Sequence, residues 1–72
     1  MPELDARGLK CPLPVLKARR ALKEVPAGGT LEVLATDPAA PRDFEVFARE
    51  AGLACERLEA PAGEYRLRLT KP

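Results

Sequence analysis

The sequence predicts an α+β fold: a two-layer α/β sandwich in which a four-stranded mixed sheet carries two helices on one face. Three observations lead there. Two stretches repeat apolar residues at helical spacing, and four short runs read as strands. Gly and Pro clusters punctuate the joints between them. The resulting order is β-α-β-α-β-β, and right-handed crossovers make the first two strands parallel with a helix above them. Residues 1–72 are too few for a second core, so the chain is expected to be one domain.

Leu4 to Ala6 is the first expected strand, with Glu3 and Asp5 turned away from Leu4 and Ala6 and Gly8 breaking it. From Cys11 to Val25, residues Val15, Ala18, Leu22 and Val25 recur every three or four positions, with Leu16 and Ala21 beside them, giving one apolar helix face. Pro26-Ala27-Gly28-Gly29 ends that helix. Leu31 to Thr36 is apolar enough for a central strand. The loop Asp37-Pro38-Ala39-Ala40-Pro41 follows, with Pro41 suited to a first helical turn. Phe44, Phe47, Ala48 and Ala51 mark the second helix, and Gly52 stops it. Ala54 to Leu58 and Tyr65 to Leu69 are the last strands, joined through Pro61-Ala62-Gly63-Glu64. In the final strand Tyr65, Leu67 and Leu69 share one face, and Arg66 and Arg68 the other.

Composition excludes several function classes. Neither Ser nor His occurs, so no Ser-His-Asp or Cys-His machinery exists within the chain. Two Cys and no His do not make a self-contained zinc site, and neither a metal nor an organic cofactor is expected. No apolar run approaches the roughly 20 residues of a membrane span. The start, Met1 to Asp5, carries acid where a secretory leader carries base, so the expected compartment is the cytoplasm. The net charge of +1 gives no sign of direct nucleic-acid binding. The charge is uneven, however. Residues 1–25 hold six basic side chains against three acidic ones, whereas residues 26–72 hold six against eight.

The chemistry centres on Cys11-Pro12-Leu13-Pro14. Pro fits the first helical position because its missing N–H would be unpaired there. The residue before a Pro is pushed out of the α region. Together these place Cys11 at the helix N-cap, where free N–H groups of Leu13 and Val15 and the helix dipole favour a thiolate. Pro14 falls in the first turn and costs no intrahelical bond. Parallel first strands bring Arg7, Cys11, Asp37 and Arg42 to one edge of the sheet. Arg7 and Lys10, if close, add to the pull on the thiol. Asp37 is read as a cap or turn residue, or as a partner of Arg42 bracing the Cys loop. Asp43 is read as a cap or turn residue as well. Cys55 falls in a strand and is read as structural. There is no Cys-x-x-Cys pair.

The run Leu4-Asp5-Ala6-Arg7-Gly8-Leu9-Lys10-Cys11-Pro12-Leu13-Pro14 resembles the opening of the TusA/SirA family of small sulfur-carrier proteins, and Asp37-Pro38-Ala39-Ala40-Pro41-Arg42-Asp43 is similar to its second motif. The resemblance covers essentially the whole chain. It implies a two-layer sandwich like the C-terminal domain of translation initiation factor three. It also implies that Cys11 takes sulfane sulfur as a persulfide from a donor such as a cysteine desulfurase or a rhodanese. An acceptor sulfurtransferase then receives it, in one branch for tRNA thiolation. Pro12 and Pro14 would shape the loop. Leu13 departs from the Glu often found between the prolines, which bears on the partner rather than on the carrier chemistry.

The leading expectation is therefore a sulfur-transfer carrier acting on Cys11, a monomer when free. The rival is a regulatory or protein-binding module with a redox-sensitive cysteine, docking through the basic first helix. RNA binding is weaker, since only Phe44, Phe47 and Tyr65 could stack on bases.

Overall fold

The computed structural model describes residues 3–72; Met1 and Pro2, part of the opening stretch weighed above against a leader, lie outside the described residues. The elements are β1 (Glu3–Ala6), α1 (Leu13–Leu22), β2 (Thr30–Ala35), α2 (Ala40–Ala51), β3 (Ala54–Leu58) and β4 (Tyr65–Thr70). They form one four-stranded sheet in the order β1-β2-β4-β3. β1 and β2 are parallel, and β4 runs antiparallel to both β2 and β3. This is the mixed sheet with two covering helices that the sequence predicts.

Period-two alternation sorts the strands into two faces. Ala6, Leu31, Val33, Ala35, Leu67 and Leu69 point at the helices and are buried. Ala18 and Leu22 of α1 and Ala40, Phe44, Phe47 and Ala48 of α2 close over them. Phe44 is wholly out of solvent and is the largest side chain to be so. The opposite face is a charged lattice. Arg68 bridges Glu32 at 3.3 Å and Glu56 at 3.4 Å, across three strands, and Arg66 reaches Glu3 at 4.0 Å. Among the described residues no helix is long and apolar enough to cross a membrane.

Helix α1 is shorter than the apolar periodicity suggests. It stops at Leu22, and residues 23–25 continue only as a tightened turn. Their N–H groups donate to carbonyls three residues back, Lys23 to Arg20 at 3.2 Å and Val25 to Leu22 at 3.1 Å. Lys71 finishes the end from outside: its Nζ donates to the carbonyls of Leu22 at 3.0 Å and Val25 at 2.7 Å. A cation at a helix C-terminus also meets the negative end of the dipole. Leu16 is a second departure. It lies one residue, and so about 100°, beyond core-facing Val15, and 48% of it stays exposed. Helix α2 ends as expected at Gly52, whose φ of 74° is the left-handed conformation that glycine adopts without a Cβ penalty.

Two predictions follow from this packing. Phe44→Ala lowers unfolding free energy by about 3–5 kcal/mol in urea titration, whereas Val46→Ala, 43% exposed two residues on, changes it by less than about 0.5 kcal/mol. The second concerns Asp5, which Arg7 holds down to about 2, chiefly by side-chain hydrogen bonding. A folded pKa below the unfolded value of about 3.9 stabilises the fold above that value and is lost as pH falls toward the folded one. Carboxyl NMR titration gives an Asp5 midpoint near 2 in the wild type. Arg7→Ala returns it to the ordinary range.

Candidate active site

Because β1 and β2 are parallel, the loops that follow them leave the same edge of the sheet. Gly8, at φ 81°, turns the chain out of β1. Its N–H donates to Thr36 Oγ1 at 2.9 Å, the first tie between the loops. Leu9 packs against the core and anchors the β1–α1 segment from below. The Cys11 N–H then donates to one Asp37 carboxylate oxygen at 2.6 Å, and the Ala39 N–H donates to the other at 3.0 Å. One side chain thus joins the cysteine turn to the start of α2.

The helix start differs from expectation by one residue. Pro12, not Cys11, is the N-cap of α1, at φ −99° and ψ 15°, and the Cys11–Pro12 peptide is cis. The Leu13 N–H donates back to the Lys10 carbonyl at 2.9 Å and the Leu16 N–H to the Pro12 carbonyl at 3.1 Å. No side chain caps the helix, so the cysteine sulfur does not fill the capping role. Pro14 does fall in the first turn, where it is buried and displaces no helical hydrogen bond.

This displacement reverses the expected electrostatics. Cys11 is exposed, yet its thiol is pushed up rather than down. The main cause is the Asp43 carboxylate beside the thiol, followed by partial desolvation and the negative charges of Asp43 and Asp37. Arg7 does not offset them. Its guanidinium is held by Asp5 through Nε at 2.9 Å and an Nη nitrogen at 2.8 Å, with Glu64 at 3.9 Å. Lys10 acts on Asp37, whose carboxyl is lowered first by the Ala39 and Cys11 backbone N–H groups and then, weakly, by the Lys10 charge. Two carboxylates next to the sulfur outweigh the cations.

Cys11, Pro12, Val15, Arg42, Asp43 and Val46 line a groove of about 260 Å³ between the helices. Arg19, Phe47 and Glu50 also border it and lead into a second hollow of about 400 Å³ toward Leu53 and Lys71. The Arg19 guanidinium lies 5.4 Å above the Phe47 ring, at the junction. On the outer side of α1, Leu13 and Leu16 are exposed among Lys17, Arg20 and Lys23. Apolar and basic groups therefore mix on the surface beside the thiol.

Of the residues singled out from sequence, Cys11, Pro12, Asp37 and Arg42 meet at this edge, with Lys10 beside Asp37 and Pro14 beneath. Asp37 braces the cysteine turn through its backbone, and among the described residues no ion pair joins it to Arg42. Arg7 faces away toward Asp5 and Glu64. Cys55 lies half-buried against the core, its thiol raised mainly by burial. Thr36 drew no notice in the sequence. Asp43, read from sequence as a cap or turn residue, lies instead in the first turn of α2.

The model of the family described as "Sulfurtransferase TusA" matches residues 2–71. The chain is 39% identical over 69 residues to the sulfur carrier protein TusA of Allochromatium vinosum, covering 96% of this chain and 91% of that one. It is 36% identical over 74 residues to a putative sulfur carrier protein of Archaeoglobus fulgidus, covering 99% and 96%. The crystal structure of a SirA-like protein from Desulfitobacterium hafniense superposes with a TM-score of 0.87 at 32% identity, covering 97% of this chain and 96% of that one. With fold, Cys-Pro-x-Pro turn and near full-length similarity in agreement, the chain belongs to the TusA family.

Proposed function

We propose that this protein is a sulfur carrier that holds sulfane sulfur as a persulfide on Cys11 and passes it to an acceptor protein. The observation that supports this best is the exposed Cys11 thiol, on a turn fixed by Pro12 and Asp37, at the mouth of an open groove. Transfer between proteins needs a sulfur that another protein can reach, held on a backbone that does not move away. The relatives named as sulfur carriers give the reading its chemistry. The donor is a persulfide-bearing protein of the cysteine desulfurase or rhodanese kind, and the acceptor a sulfurtransferase. Thiolation of tRNA is one end use. The cytoplasm, which keeps thiols reduced, is the compartment this reading implies.

Cys11 Sγ attacks the outer sulfur of the donor persulfide, and the donor leaves as a thiol. Pro12 and Pro14 set the shape of the turn, and Asp37 holds its backbone. Arg42 and Lys10 supply nearby positive charge for an anionic donor. The rival reading, a redox-sensitive regulatory cysteine in a protein-binding module, predicts instead that Cys11→Ser keeps full partner binding.

Incubation with a cysteine desulfurase and cysteine, or a rhodanese and thiosulfate, adds one reducible sulfur by intact mass. Cys11→Ser abolishes the gain and Cys55→Ser keeps it; loading of Cys11→Ser would refute the assignment. The pH dependence of iodoacetamide alkylation gives a Cys11 midpoint above the free-thiol value of about 8.5. A midpoint below that value would show that Asp43 and Asp37 do not hold the thiol up.

A further inference from the structure

We propose that Asp43 is a catalytic residue of the transfer: its carboxylate takes the Cys11 thiol proton as Sγ attacks and hands it to the departing donor sulfur. This rests on the sulfur-carrier reading above. A chain without His or Ser must find its proton acceptor elsewhere. Asp43, in the first turn of α2, and Cys11, on the turn that precedes α1, border the same groove. Their relative position is fixed, because Asp37 ties the Cys11 N–H to the Ala39 N–H, and the Ala39 carbonyl accepts from the Asp43 N–H at 2.9 Å.

The other charged groups near the sulfur do not fit the task. Both Asp37 oxygens are engaged by backbone N–H groups. Glu50 lies two helical turns further along the groove, and Lys10, Arg19 and Arg42 are cations. Among the described residues no ion pair engages Asp43, so its oxygens are available.

The step balances without a further reactant. Cys11–SH and a donor R–S–SH give Cys11–S–SH and R–SH. The bond between Cys11 Sγ and the outer sulfur forms while the donor S–S bond breaks, and its electron pair goes to the donor's inner sulfur. The proton crosses from Sγ through the Asp43 carboxylate to that inner sulfur. Asp43 relays the proton within one step and never has to hold it. The same carboxylate explains why the resting thiol stays protonated.

Two readouts that move in opposite directions test this. Wild type and Asp43→Asn are loaded with glutathione persulfide from about pH 6 to about pH 10, and iodoacetamide alkylation is measured alongside. Asp43→Asn lowers the thiol pKa, so it alkylates faster than wild type near neutrality. It nevertheless takes up sulfur roughly a hundredfold more slowly there. The gap closes at high pH, where the sulfur is already a thiolate. Asp43→Glu restores uptake, as does added formate in Asp43→Ala, which separates a lost proton relay from a damaged fold. Uptake by Asp43→Asn at or above the wild-type rate across the range would overturn the inference, leaving Asp43 as a brake on the thiol. Failure of the wild type itself to load from any donor would instead overturn the carrier reading.

Discussion

The contact on which the site depends is the Asp37 carboxylate with the Cys11 and Ala39 N–H groups. Neither loop has regular structure to hold it, and the partly buried Leu9 anchors only the first to the core. A carboxylate taking two backbone donors is a charge-assisted pair, stronger than neutral hydrogen bonds and directional. It fixes the turn by its backbone and leaves the sulfur free. That distinction matters for a carrier, whose reactive atom must be presented and not packed. The parallel pairing of β1 with β2 makes the contact possible, since only parallel neighbours send both following loops to the same edge.

The electrostatics suit a thiol that must not react indiscriminately. A helix N-terminus alone would favour the thiolate. Here the helix start is shifted to Pro12, and Asp37 and Asp43 place negative charge near Cys11. These charges favour the protonated thiol. On the carrier reading, the same charges also disfavour an anionic persulfide, which leaves the loaded state poised to give its sulfur away. A relay protein gains nothing from binding its cargo tightly. What it needs is a small difference in free energy between loading and delivery.

The fold was legible because its signals are periodic. Alternation in β4 assigned Leu67 and Leu69 to the core and Arg66 and Arg68 to the open face, and the register with β2 places Arg68 opposite Glu32. Gly52 marked the end of α2 for a stated steric reason. The site was legible only in part. Cys-Pro-x-Pro announced the reactive turn, but residue types do not specify whether a helix starts at the first or second position of such a run. One residue of displacement takes the sulfur out of the capping role. Arg7 and Asp43 show the same limit. Which groups meet follows from side-chain reach across the fold: Asp5 captured Arg7, while Asp43 reaches the Cys11 groove from a position 32 residues downstream.

Size accounts for the rest of the design. A chain of 72 residues buries too little surface to enclose a deep pocket for a large substrate, and the reactive thiol lies at the surface. The two faces of the sheet divide the labour. Glu32, Glu56 and Arg68 cover the open face with mutually paired charge, which offers an approaching protein little apolar area and costs desolvation to bury. The helical face keeps Leu13, Leu16 and Val46 exposed around the groove that begins at Cys11. Apolar area next to unpaired basic side chains is the composition that rewards burial while steering approach by charge. The helical face therefore carries both the thiol and the exposed apolar and basic side chains.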